Sequence, residues 1–378
     1  MMAGGVPVAR LFGIEIRISI AWALLLAIVA FVGAQQAAFT APSLAAPLQW
    51  LIGFAVALAF LASVIAHELA HALIGRRYGV PTSTIVLGFV GGLAPLSIVA
   101  ASPRQELVIA LSGPVLSLGT GFALIVAGVL VGAAGSWLAP LAGSLVVLGA
   151  LNLILAALSL LPGMPLDGGR VVRAIAWART RDRDRAGQIT AKTGRLLGFT
   201  IMGVGIAMAL ADLATEGLLV VALGWLLTTG AKTLDRRLGL ERLLRGVTVR
   251  DAMTADPGWV APQLTVDTFI NRYEGPEAVP AMPVVDGEQI LGVVGRRRLQ
   301  RLGRRRFGET RAVDVMAVPP QAPVLAPDDP LWDALDVMNA GGLDGLAVAV
   351  EGRLAGMLTG DGVAEAVRRR AVAEAGVR

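Results

Sequence analysis

The chain has 378 residues, of which 55% are hydrophobic and only 16% charged. A soluble globular chain is about 45–50% apolar and about 25% charged, so the excess apolar surface belongs in lipid. There is no cysteine, which excludes disulfides, thiolate catalysis and Cys-ligated metal. The net charge of +5 does not indicate nucleic acid, because the arginines cluster beside apolar segments and aromatics make up 5%.

In chain order, the first apolar run follows Arg17 and is too long for the core of a cleaved signal. Membrane spans of about 20 residues each are expected near 18–39, 49–75, 105–132, 140–161, 196–212 and 216–231. The last two are short and joined by Asp212 to Glu216, as a tight helical hairpin. Arg76, Arg77 and Arg104 follow the second span, Arg170 to Arg195 the fourth, and Lys232, Arg236 and Arg237 the sixth; the connections 40–48 and 133–139 are uncharged. Basic loops stay cytoplasmic, so both termini are expected in the cytoplasm. Ser83–Ser102 is β-branched and broken by Gly88, Gly91 and Gly92. It reads as a re-entrant strand or hairpin facing an internal cavity, the alternative being a cytoplasmic loop.

Residues 245–378 are mixed in polarity and repeat themselves. Asp251-Ala252-Met253 is echoed by Asp314-Val315-Met316, and Leu291-Gly292-Val293-Val294 by Ala355-Gly356-Met357-Leu358. Each copy has a short helix (266–274; 330–340), then strands joined at Asp286-Gly287 or Glu351-Gly352, a strong hairpin signal. Copies this small pair into one soluble domain.

Both histidines of the chain lie in His67-Glu68-Leu69-Ala70-His71, inside an apolar run. Positions i and i+4 share a helix face, so two imidazoles can hold one zinc ion while Glu68 activates water. The pattern also arises by chance in soluble helices, but ionisable groups at membrane depth mark function. The site would lie on the order of 12 Å inside the basic boundary at 1.5 Å per residue. Catalytic zinc takes a third protein ligand, for which Glu15, Glu106, Asp167, Asp212 and Glu216 are candidates. Asp167 stands out: Pro162 and Pro165 stop the fourth span, and Gly168-Gly169 lets the chain turn back. The alternative is that Asp167 merely caps the helix carrying Arg170 and Arg173.

These motifs, with Ser112-Gly113-Pro114 and the tandem repeat, resemble the site-2 protease family of intramembrane zinc metalloproteases, in its branch with C-terminal CBS repeats. The resemblance implies one zinc per chain on His67, His71 and Asp167, Glu68 as catalytic base, and a Gly-rich strand at 85–96 bordering the substrate. Gly91 and Gly92 fall in that strand. The family Asn eight residues before the ligand Asp is here Ser159; Asn152, on the same helix face, is a substitute for substrate contact. CBS copies commonly bind adenine nucleotides, through a Ser or Thr with an Asp three residues on. Those places are Gly295 and Arg298 in the first copy, and Thr359 and Gly362 in the second, with Asp361 one place early. A structural or dimerisation module is the alternative. The basic run Arg296 to Arg306 reads as a solvated face that also suits anionic lipid.

The expectation is a polytopic α-helical membrane protein of about six spans with a re-entrant β element (1–240). A cytoplasmic α/β tandem CBS domain follows (241–378; copies 247–306 and 310–370). Its expected partners are the bilayer, a transmembrane substrate such as an anti-sigma factor or another membrane-tethered regulator, an adenine nucleotide, and a second copy through the CBS pair. A CBS-regulated ion transporter is the rival, though it gives Glu68 no task.

Overall fold

The computed structural model describes residues 5–80, 82, 84–88, 91–92, 100–271, 279–319 and 321–376. The chain opens with a hairpin, β1 (Val6–Leu11) and β2 (Ile14–Ile18), turning at Phe12 and Gly13, both with positive φ. Two long helices follow, α1 (Ala21–Thr40) and α2 (Ala46–Arg77). Next come β3 (Thr84–Gly88) and β4 (Gly91–Gly92). β2 pairs in parallel with β3, and β3 antiparallel with β4, giving the sheet order β1-β2-β3-β4. Ile14, Ile16, Ile85 and Leu87 pack from this sheet into a core with α1 and α2, and the Trp22 indole donates to Gly88 O at 2.9 Å. The expected β element is therefore present at 84–88 and 91–92; residues 83, 89–90 and 93–99 of the expected segment lie outside the described residues.

The remaining helices of this part are α3 (Pro103–Ala134) and α4 (Ala139–Ser159), then the shorter α5 (Asp167–Thr180), then α6 (Arg183–Leu210) and α7 (Ala214–Leu243). Among the described residues, six helices are long and apolar enough to cross a bilayer; α5 is not one of them. Lipid gives no hydrophobic drive between helices, so small residues decide how closely they pack. Gly33 meets Gly53 between α1 and α2, Gly121 meets Gly149 between α3 and α4, and Gly205 meets Gly217 between α6 and α7; at each an added Cβ would lie within 3 Å of the facing backbone. α6 and α7 extend well past the apolar runs that mark them in sequence. Their polar ends are held partly by an ion pair between Arg195 and Asp235, so Arg195 is a helix residue rather than a loop residue.

The chain divides into two compact units, Met1–Leu238 and Gly239–Arg378. In the second unit, the first copy supplies β5 (Thr254–Ala255), α8 (Val266–Ile270), β6 (Met282–Asp286), β7 (Gln289–Val294) and α9 (Arg296–Arg301). The second copy supplies α10 (Ala312–Val315), α11 (Leu331–Gly341), β8 (Gly345–Val350), β9 (Arg353–Thr359) and α12 (Gly360–Gly376). The hairpins turn at Gly287 and Gly352, both with positive φ. The start of each copy adds to the sheet of the other: Thr254 pairs with Met357, and Ala317 with Val293. Neither copy completes its sheet alone, which is why the repeat comes as a pair.

Candidate metal centre

Three side chains from two distant helices converge at one point. His67 and His71, one turn apart on α2, aim both Nε2 atoms the same way, 3.3 Å apart. Asp167, the first residue of α5, places Oδ2 3.3 Å from Nε2 of His67 and 3.2 Å from Nε2 of His71. A tetrahedral zinc with ligand distances of about 2.0–2.1 Å separates its ligands by roughly 3.3 Å. The three donors thus form one face of such a tetrahedron and leave the fourth corner for water or substrate. Among the described residues this is the one cluster of three metal-ligating groups so arranged.

The donor chemistry agrees with the spacing. Nδ1 of His71 lies 2.7 Å from Ile109 O. A carbonyl only accepts, so that nitrogen carries the proton and Nε2 keeps its lone pair for a metal. Nδ1 of His67 is 2.8 Å from the hydroxyl of the buried Ser117, which orients the second ring in the same way. Ile109 and Ser117 both lie on α3, as does Gly113, whose missing side chain leaves the space into which the imidazoles point. Glu68 lies beside His67 on α2, and Arg170 lies in the field of the Glu68, Asp167 and Glu106 carboxylates.

The loop between α4 and α5 delivers Asp167. α4 ends at Ser159, and Gly163 N–H and Leu166 N–H close tight turns onto Leu161 O and Gly163 O. Gly168 lies directly against the carbonyls of Leu160 and Leu161, and a Cβ on Gly169 would fall 2.6 Å from Met164 N. The helix N-cap is Leu166, with no side-chain cap; the Asp167 carboxylate is turned to the histidines instead of capping its own helix. The other candidate carboxylates are elsewhere. Glu15 pairs with Arg17 at 3.0 Å, Glu106 pairs with Arg173, and Asp212 and Glu216 are exposed near the α6–α7 turn.

Asn152 and Ser159 are both buried on α4. The Asn152 amide donates to Ser63 Oγ at 3.3 Å, one turn before His67 on α2, and to Leu148 O at 2.9 Å. The Ser159 hydroxyl donates to Ala156 O at 3.0 Å. Gly91 and Gly92 form β4 against Leu87 and Gly88.

In the second unit, the place before α9 is filled from within. Asp344 Oδ2 accepts from Arg297 N–H at 2.8 Å, and Arg298 turns away to Met316 O at 3.0 Å. In the second copy, Thr359 Oγ1 accepts from Gly362 N–H at 3.3 Å, with Asp361 exposed in the first turn of α12.

The chain matches the model of peptidase family M50 over residues 55–144 and 136–201, and that of the CBS domain over 249–304 and 312–369. It is 32% identical over 379 aligned residues to the Mycobacterium tuberculosis protein that bears the name zinc metalloprotease Rip3, covering 97% of this chain and 93% of that one. A Synechocystis protein, also named as a zinc metalloprotease, is 27% identical over 94% of each chain. Among solved structures, the site-2 protease from Methanocaldococcus jannaschii aligns with 62% of this chain and 96% of its own, at 22% identity and a TM-score of 0.40. CBSX2 in complex with AMP aligns with 33% of this chain and 98% of its own, at 25% identity and a TM-score of 0.27. With an M50 segment over its membrane helices and two CBS repeats behind them, this chain belongs to the site-2 protease family of zinc metalloproteases.

Proposed function

We propose that residues 1–240 hydrolyse peptide bonds within or beside transmembrane segments of other membrane proteins, and that the CBS pair in 241–378 regulates this activity. His67, His71 and Asp167 hold one zinc ion in this reading, and Glu68 is the catalytic base. The observation that carries it is the triangle of donor atoms, 3.2–3.3 Å on each edge, on the same helix turn as a carboxylate.

The chemistry such an ion supplies is polarisation of a carbonyl and a lowered water pKa. The Glu68 carboxylate takes the proton from the attacking water and returns it to the leaving amide nitrogen. Ile109 O keeps the His71 imidazole in the tautomer that leaves Nε2 free, and Ser117 Oγ holds the orientation of the His67 ring. A helical substrate hides its carbonyls, so it must unwind before cleavage. An unwound segment can add as a strand to the sheet that β3 and β4 form. Gly91, Gly92, Asn152 and Ser159 are the substrate contacts in this reading. The substrate class is a membrane-tethered regulator such as an anti-sigma factor. Both termini and the CBS pair face the cytoplasm in this reading, which the positions of Lys and Arg support, and Thr359 and Asp361 are its adenine-nucleotide contacts. A second copy associates through the CBS repeats.

The test is Glu68→Gln with a purified transmembrane substrate in liposomes. Cleavage is expected to fall at least about 100-fold, the scale of general base catalysis, while bound zinc stays at the wild-type level. Cleavage at the wild-type rate would overturn the mechanism.

A further inference from the structure

Glu106 is the one fully buried carboxylate among the described residues, with 2% of its surface exposed. It lies in the first turn of α3, and its Oε1 accepts from Arg173 Nε at 2.7 Å and also from Nη2 of the same guanidinium. A buried ion pair is weak evidence for stability, since desolvation offsets most of the attraction. What this one does is fix two helices against each other. α3 carries Glu106, Ile109, Gly113 and Ser117 on one face, and the last three touch or abut the histidines. α5 carries Asp167 and Arg173.

The two ladders match in length. Glu106 to Gly113 is seven residues, about 10.5 Å along α3, and Asp167 to Arg173 is six, about 9 Å along α5. At one end Glu106 holds Arg173; at the other, Asp167 and Gly113 meet the same imidazoles. The helices run in opposite senses along this contact, and a slip of one residue would carry the Asp167 carboxylate about 1.5 Å away from the histidines.

We propose that the Glu106–Arg173 ion pair is a clamp that sets the register of α5 on α3 and so holds Asp167 in place as the third zinc ligand. Glu106 and Arg173 are positioning residues. The proposal rests on the zinc reading above.

The test measures zinc affinity of the full chain in detergent by competition with a chromophoric chelator, with circular dichroism and gel filtration reporting the fold. Breaking one partner leaves a lone buried charge, so the decisive variant is the paired Glu106→Gln, Arg173→Gln, with Glu106→Leu, Arg173→Met as its substitute if the first does not fold. Zinc binding is expected to weaken at least tenfold in the folded variant, and Arg173→Lys to fall between it and wild type. Gly205→Ala, which crowds α6 against α7, serves as a destabilised comparator and is expected to keep wild-type affinity. Affinity within twofold of wild type in the paired variant, or an equal loss in Gly205→Ala, would overturn the clamp alone. Wild type without zinc would overturn the metal reading and the clamp with it.

Discussion

A methyl carbon placed on Gly113 would fall 2.7 Å from Nε2 of His67, and closer still to Nε2 of His71. Side-chain carbons do not approach other atoms that closely, and these nitrogens are the ones proposed to hold the metal. Gly113→Ala is therefore expected to bind zinc at least tenfold more weakly, with a stability loss of about 1–3 kcal/mol from overpacking. Gly119→Ala, on the same helix, meets no atom within 4 Å and should keep its zinc. Elemental analysis of the two purified variants checks this; equal zinc in both would mean that α3 does not wall the site.

The convergence of His67 and His71 was legible because they lie one turn apart on one helix, where spacing alone decides the geometry. Asp167 was legible only as the strongest of five carboxylates. It is 100 residues from His67, and helix packing, not local pattern, brings it there. Glu106 shows the same limit from the other side: the sequence offers it only as a candidate third ligand, and its partner Arg173, 67 residues on, is invisible to spacing rules. The N-terminal hairpin escaped notice although Ile14, Ile16 and Ile18 alternate as a strand should. Arg17 among them reads as the flank of a membrane span, and the strand that completes the sheet begins at Thr84. The lengths of α6 and α7 were underestimated because hydropathy marks the lipid-embedded part of a helix, while charged turns such as Arg183 to Lys192 continue it in water.

Orientation can be tested cleanly because the chain has no cysteine of its own. Ser43→Cys and Ser136→Cys lie in the uncharged α1–α2 and α3–α4 connections, and Arg179→Cys in the basic segment before α6; all three positions are exposed. If arginine-rich loops stay in the cytoplasm, a membrane-impermeant maleimide added to intact cells should label the first two and spare the third until the membrane is opened. The reverse pattern would put the CBS pair outside and detach it from any cytoplasmic nucleotide.

The two CBS copies should differ in what they bind. In the second copy, Thr359 ends β9 and its hydroxyl accepts from Gly362 N–H in the first turn of α12, a helix of 17 residues whose N-terminal N–H groups favour a phosphate. In the first copy the corresponding turn already holds an anion, since Asp344 accepts from Arg297 N–H and pairs with its guanidinium at 3.4 Å. A phosphate arriving there would meet that carboxylate at close range, and like charges so near repel. Titration of the full chain with ATP or AMP in a calorimeter is therefore expected to give one nucleotide per chain, not two. Thr359→Ala should weaken that binding about tenfold, consistent with loss of one hydrogen bond to a charged group. Two equivalent sites would show that Asp344 yields to phosphate. No binding at all would leave the repeats as a structural or dimerisation module rather than a nucleotide sensor.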